Sequence, residues 1–298
     1  MSGSGVRRRA SWLAALASVV EKRPGPAFVV IAYAVSWAAW LPLLAAVQGW
    51  IALDPPQWLH LVGGLGPAVA ALVVVAVTQG RSGLSDLGRR VVAWRGRGRA
   101  WLFVFVVPLG LLVVAAPLAA WLGGSSVLDL DWSAIGRSTE FAALPVGIWW
   151  IANFFFFGFG EEVGWRGFLQ PHFEATHSVV TSAGLVSLAW AAWHLPLFGI
   201  TPSYRAMPLV GLLGFAVSIW VASWIFAWLL HAGRGSLLVV VCFHAWFDIV
   251  TTSPMGPPGL PSLMGAGITI VGLVLLRTML KHPITPNTYG VGAPVSRT

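Results

Sequence analysis

The chain of 298 residues carries 18 Lys+Arg and 10 Asp+Glu, and 57% of it is hydrophobic. Charged residues amount to 9%, against roughly 25% in a soluble domain. So little charge cannot coat a water-soluble globule of this size, and with a mean hydropathy of +0.79 the surplus apolar surface calls for lipid as its solvent. A cytosolic enzyme, a secreted domain and a disordered chain are excluded, which leaves an all-α bundle of membrane helices.

In chain order, residues 1–26 are a basic tail with Arg7, Arg8, Arg9, Lys22 and Arg23. The apolar run that follows starts too late and is too long for a cleaved signal peptide, so it is expected to stay attached. A crossing helix needs about 20 mostly apolar residues. Eight stretches qualify: 27–47, 58–78, 101–122, 142–163, 179–199, 208–230, 236–252 and 261–280. They divide the chain into N-terminal helices (27–141), a core carrying the chemistry (142–252) and a last span within 253–282. Between the second and third spans, Leu84, Leu87, Val91 and Trp94 recur at helical spacing, with Arg89 and Arg90 off that stripe. The pattern predicts an interfacial helix over 84–94 with its arginines toward anionic headgroups. Residues 283–298, rich in Gly, Pro and Thr, are expected to be disordered.

Sixteen Lys and Arg residues fall on one side of these spans, and only Arg137 and Arg205 on the other. That asymmetry predicts eight spans with both termini in the cytoplasm. The net charge of +8 is scattered between apolar segments rather than along one soluble face, so membrane lipids, and not nucleic acid, are the expected partners. No internal repeat supports an inverted-repeat transporter. The single cysteine, Cys242, excludes an internal disulfide and a Cys-based zinc site.

Ionisable side chains at membrane depth are costly, so each needs a reason. Glu161, Glu162 and Arg166 close an aromatic run that starts after Asn153. On a helix Glu162 and Arg166 pair across one turn, while Glu161 points elsewhere and is the freer acid. A helix-end ion pair at the surface would read the same way. Trp190 and His194 are four apart, as are His244 and Asp248, and His231 stands at the edge of the sixth span. Singly, these histidines read equally as structural hydrogen bonds. Together, three spans place Glu, His and Asp inward, which makes a proton path or a hydrolytic site. The midpoint of Glu161 and His194 falls between His177 and Ser178, so a hairpin turning there brings both to one level, in a pocket opening toward the cytoplasm.

These residues carry a resemblance. The strings Glu161-Glu162-x-x-x-Arg166, Trp190-x-x-x-His194 and His244-x-x-x-Asp248 resemble, in order, the motifs of the CPBP (Abi) intramembrane proteases, which include the type II CAAX prenyl endopeptidases. The match spans about residues 142–252. Trp190 replaces the family's usual Phe, from which only a packing change is expected. Asp248 replaces the Asn of prenyl-processing members. An ionised carboxylate cannot donate to an oxyanion, so Asp248 is protonated, fixes the tautomer of His244, or binds a metal.

The resemblance implies peptide-bond hydrolysis within the membrane. Glu161 would be the base for the attacking water, His194 would orient it, and His244, supported by Asp248, would hold the oxyanion. Glu162 with Arg166 would fix the helix. No cofactor is expected. A zinc site of His194, His244 and Glu161 stays open as the alternative, although no His-Glu-x-x-His string is present. The substrate is a peptide or protein, prenylated or membrane-embedded in the reading the resemblance favours. Non-enzymatic bacteriocin immunity or scaffolding, and a proton-coupled transporter, are the rival classes. The Arg-, Ala- and Gly-rich composition suggests a bacterial inner membrane.

Overall fold

The computed structural model describes residues 14–94, 98–256 and 259–286. Arg7, Arg8, Arg9, Arg95, Arg97, Arg297 and the expected disorder from residue 287 onward lie outside the described residues. Among the described residues all regular structure is helical. The main helices are α1 (Pro24–Val47), α2 (Trp58–Gly63), α3 (Gly66–Val91), α4 (Gly98–Leu122), α5 (Val146–Ala152), α6 (Gly160–Gly164), α7 (Gln170–Glu174), α8 (Val179–Trp193), α9 (Leu209–Ala232), α10 (Leu237–Thr251) and α11 (Leu260–Lys281).

Six of the eight expected spans are long and apolar enough to cross a bilayer: Pro24–Val47, Trp58–Val91, Gly98–Leu122, Val179–Gly199, Leu209–Ala232 and Leu260–Lys281. The fourth is helical but segmented. Two π-helical stretches, Asn153–Phe159 and Trp165–Leu169, flank α6, and the helical path runs on to Glu174. The seventh, α10, has 15 residues, roughly 22 Å of helix, which is short for a hydrocarbon core about 30 Å thick. This multi-pass architecture is the all-α bundle expected from composition.

Small residues decide how the spans meet. With no hydrophobic drive between helices in lipid, association relies on close packing and interhelical hydrogen bonds. A Cβ on Gly63 or Gly66 would collide with Trp40 or Ser36 of α1. Their absence lets Ser36 Oγ donate to Gly63 O at 2.6 Å, and Trp40 Nε1 to His60 O at 3.0 Å. On its other side this segment receives α6: a Cβ on Gly160 would stand 2.5 Å from Gly64 O, and one on Gly164 2.5 Å from Pro67 O. The turn between α2 and α3 is therefore clamped between α1 and the helix bearing the paired glutamates. The chain then turns between Glu174 and Val179, where Ser178 caps α8 through Thr181 N, as the midpoint of Glu161 and His194 predicts.

Gly80 (φ 64°, ψ −151°) breaks the second span, in a conformation that suits glycine alone. Beyond it the chain is helical to Val91, close to the expected 84–94 segment, but its arginines do not both face out. Arg89 is exposed and pairs with Asp86 at 3.0 Å. Arg90 is buried and donates to the carbonyls of Gly235, Gly167 and Arg166 at 3.2, 3.0 and 3.3 Å. The expectation that Arg90 faces headgroups is corrected: the carbonyls released where π-turns and the α9–α10 turn interrupt the helical ladder need donors, and Arg90 supplies them.

Candidate active site

Both π-stretches bear on the glutamates. A π-turn holds one residue more than an α-turn, so it shifts the register of the side chains that follow it. One such stretch ends at Phe159 and the next begins at Trp165, leaving α6 as a single α-helical turn that presents Glu161 and Glu162. Both acids are buried, Glu161 at 4% exposure and Glu162 at 0%.

Glu162 is the acceptor at the centre. Its Oε1 takes Arg166 Nη1 at 3.0 Å and His244 Nδ1 at 2.8 Å. Arg166 is fully buried, with its guanidinium carbon 4.5 Å from the Trp190 ring centre and 4.3 Å from that of Phe226, and its Nη2 reaches Ser223 Oγ at 3.4 Å. The expected Glu162–Arg166 pair is present. A surface ion pair is overturned by the complete burial of both side chains. A charge in such a place is tolerable only when paired and stacked.

Glu161 turns the other way and accepts from Trp190 Nε1 at 2.6 Å. The backbone carbonyl of Trp190 in turn accepts from His194 Nδ1 at 2.7 Å. A carbonyl cannot donate, so this bond puts the proton on Nδ1 and leaves Nε2 as the acceptor nitrogen of neutral His194. Trp190 thus touches both groups through different atoms, and the expectation that it changes packing alone is corrected. A phenylalanine there has no N–H to give.

His244 lies between carboxylates, with Nδ1 on Glu162 and Nε2 3.5 Å from Asp248 Oδ2. The carboxylate at hydrogen-bond distance from the ring is that of Glu162, while Asp248 makes the longer contact, so of the alternatives open to Asp248 the fixing of the His244 tautomer is shared with Glu162. Asn153, buried at the start of the first π-stretch, lies against Asp248. Sequence reading passed over Asn153. Its signal was a lone amide at the head of an apolar aromatic run.

Glu161, Glu162, Arg166, Trp190, His194, His244 and Asp248 are therefore brought into one connected cluster from three separate helical segments. His231 is not part of it. It sits near the arginine-rich end, where Nε2 meets Glu174 Oε2 at 3.0 Å, and Gln170 Nε2 donates to the same carboxylate at 2.6 Å. Among the described residues no three His, Cys, Asp or Glu side chains are grouped as a metal site, the set His194, His244 and Glu161 included.

Comparison with known proteins finds a family match over the stretch of chain that carries these residues. Residues 143–250 match the family model described as type II CAAX prenyl endopeptidase Rce1-like. The chain is also 22% identical over 191 residues to a protein of Methanococcus maripaludis named CAAX prenyl protease 2, covering 62% of this chain and 68% of that one. The core is thus Rce1-like, as its motifs indicate. The chain is therefore similar to membrane proteases of the CAAX type, and that likeness supports a protease, a hydrolase of peptide bonds.

Proposed function

We propose that this chain cleaves a peptide bond of a prenylated, CAAX-type peptide or protein with a water activated by Glu161. The observation that carries the reading is Trp190, which donates to Glu161 through its indole and accepts from His194 through its carbonyl. Glu161 takes a proton from water as the oxygen attacks the carbonyl carbon, and His194 Nε2 orients that water. The carbonyl oxygen becomes an oxyanion facing His244. Both ring nitrogens of His244 face carboxylate oxygens, an arrangement suited to the doubly protonated imidazolium. Its Nε2–H is then free to leave the long contact with Asp248 for the oxyanion. Collapse breaks the C–N bond, and the proton held by Glu161 passes to the leaving amine. Asp248 and Asn153 support His244, while Glu162 and Arg166 hold the turn that carries Glu161.

The same proposal takes 142–252 as the catalytic core, with the site open to the cytoplasm, both termini on that side, and the inner membrane of a bacterium as the location. The prenylated substrate class rests on the names of the matched family and relative.

The test is proteolysis by the purified protein in detergent, on a peptide library that includes prenylated CAAX peptides, read by mass spectrometry. Wild type, Glu161→Gln and chelator-treated wild type run in parallel. The expected result is cleavage at prenylated peptides that is lost in the variant and kept under chelator. Loss under chelator would replace the glutamate mechanism with a zinc-dependent one, and absence of cleavage by wild type would favour an immunity or scaffold role.

A further inference from the structure

At the arginine-rich end of the bundle, away from the glutamate site, a cavity of about 500 Å³ opens between the start of α4, the end of α9 and the end of α11. Its lining includes Arg99, Trp228, His231, Arg234, Thr278 and His282. Cationic and hydroxyl groups converge here on an otherwise apolar molecule. Among the described residues neither Arg99 nor Arg234 has a carboxylate partner. Glu174, the nearby acid, does not line the cavity, and its oxygens are taken by His231 and Gln170.

The backbone also singles out this place. Arg234 adopts φ 55° and is the one non-glycine residue with positive φ among the described residues. That conformation is unfavourable for a residue with a Cβ. The neighbouring Gly235, at φ 83°, takes such a conformation without penalty. The turn is closed by Arg234 N on His231 O at 3.1 Å and Gly235 N on Leu230 O at 2.8 Å, which sets Arg234 at the end of α9. α11, which lines the cavity through Thr278 and Met279, also exposes the apolar Val274 and Leu280.

We propose that this cavity binds the phosphate group of an anionic phospholipid of the adjoining leaflet, with Arg99 and Arg234 as the phosphate ligands, Thr278 and His282 contributing hydrogen bonds, and the acyl chains lying along α11. Guanidinium groups match phosphate oxygens in pairs, and basic cavities between helices near the membrane interface recognise lipid headgroups in this way.

The test is thermal unfolding of the full chain in nanodiscs of phosphatidylcholine with and without phosphatidylglycerol, and separately in neutral detergent with and without inorganic phosphate. Wild type is compared with Arg99→Ala/Arg234→Ala and with Arg277→Ala/Lys281→Ala, which removes two positive charges outside the cavity. Phosphatidylglycerol is expected to raise the Tm of wild type and of the Arg277/Lys281 variant, as a ligand of the native state does, and to leave that of the Arg99/Arg234 variant unmoved. Equal shifts in all three proteins, or equal loss in both variants, would reduce the effect to general surface charge and overturn the proposal. Stabilisation of wild type by inorganic phosphate with none from phosphatidylglycerol would overturn the lipid as the source. The readout is folding, so it stands or fails independently of the proteolytic reading.

Discussion

Trp190 donates its indole N–H to Glu161 Oε2 at 2.6 Å, a bond that fixes which oxygen of the proposed base is left to face a water. Trp190→Phe keeps the ring between Arg166 and His244 but removes the donor. A hydrogen bond to a charged group contributes about 1.5–3 kcal/mol to stability, so a lower Tm is expected, and kcat is expected to fall as well because Glu161 loses the donor that positions it, with KM little changed. A Trp190→Phe enzyme with wild-type kcat would show that the indole bond does not position Glu161.

Lipid makes each buried charge conspicuous, which is why spacing and depth alone single out Glu161, Glu162, Arg166, His194, His244 and Asp248. The hairpin between α7 and α8 followed from the same depth reasoning. Other features depend on backbone detail that composition does not encode. Nothing in the aromatic run after Asn153 distinguishes a π-turn from an α-turn, yet one such stretch sets the register of Glu161 and Glu162 and another follows them. Arg90 and Arg89 are neighbours on one predicted helix, and only the three carbonyls that Arg90 meets separate a buried arginine from an exposed one. The indole of Trp190 reads as bulk until its N–H is seen to face a carboxylate.

The two adjacent glutamates should separate cleanly on substitution. Glu162 Oε1 serves both Arg166 and His244, so Glu162→Gln leaves a buried guanidinium without its counter-ion. Breaking such a pair costs about 3–5 kcal/mol, and a large drop in Tm with loss of activity is expected. Glu161→Gln keeps an acceptor for Trp190 and is expected to abolish cleavage with Tm nearly unchanged. Thermal unfolding alongside peptide cleavage distinguishes them. A Glu162→Gln protein as stable as wild type would contradict the central role given to that carboxylate.

Gly164 faces Pro67 so closely that an added Cβ would lie 2.5 Å from Pro67 O and 2.5 Å from its carbonyl carbon. Backbone cannot swing away as a side chain can, so in Gly164→Ala the turn carrying Glu161 and Glu162 must shift against α3. Overpacking of this kind costs about 1–3 kcal/mol, and a displacement near 1 Å can lower a rate by roughly a hundredfold. The expected result is a kcat loss much larger than the Tm change implies. Gly147→Ala, where nothing lies within 4 Å of the added Cβ, serves as the neutral control, and equal behaviour of the two variants would remove the case for a rigid contact between α3 and α6.

Arg90 ties three segments together: its Nε reaches the turn after α9 at Gly235, and its two terminal nitrogens reach Gly167 and Arg166 in the second π-stretch. Lysine has the charge but not the planar set of donors, so it cannot serve three carbonyls in fixed directions. Arg90→Ala strands buried carbonyl groups at roughly 1–3 kcal/mol for each that finds no other donor. A destabilisation of about 2–3 kcal/mol is expected, with Arg90→Lys recovering only part of it. The register of Glu162 and Arg166 depends on the same π-stretch, so cleavage should fall in both variants even at temperatures where they remain folded. Arg89→Ala, one residue away and exposed, should leave stability and cleavage close to wild type. If Arg90→Ala matched Arg89→Ala in Tm and in rate, Arg90 would be a surface charge after all, and the bracing of the active-site helix would have to come from α3 and α10 alone.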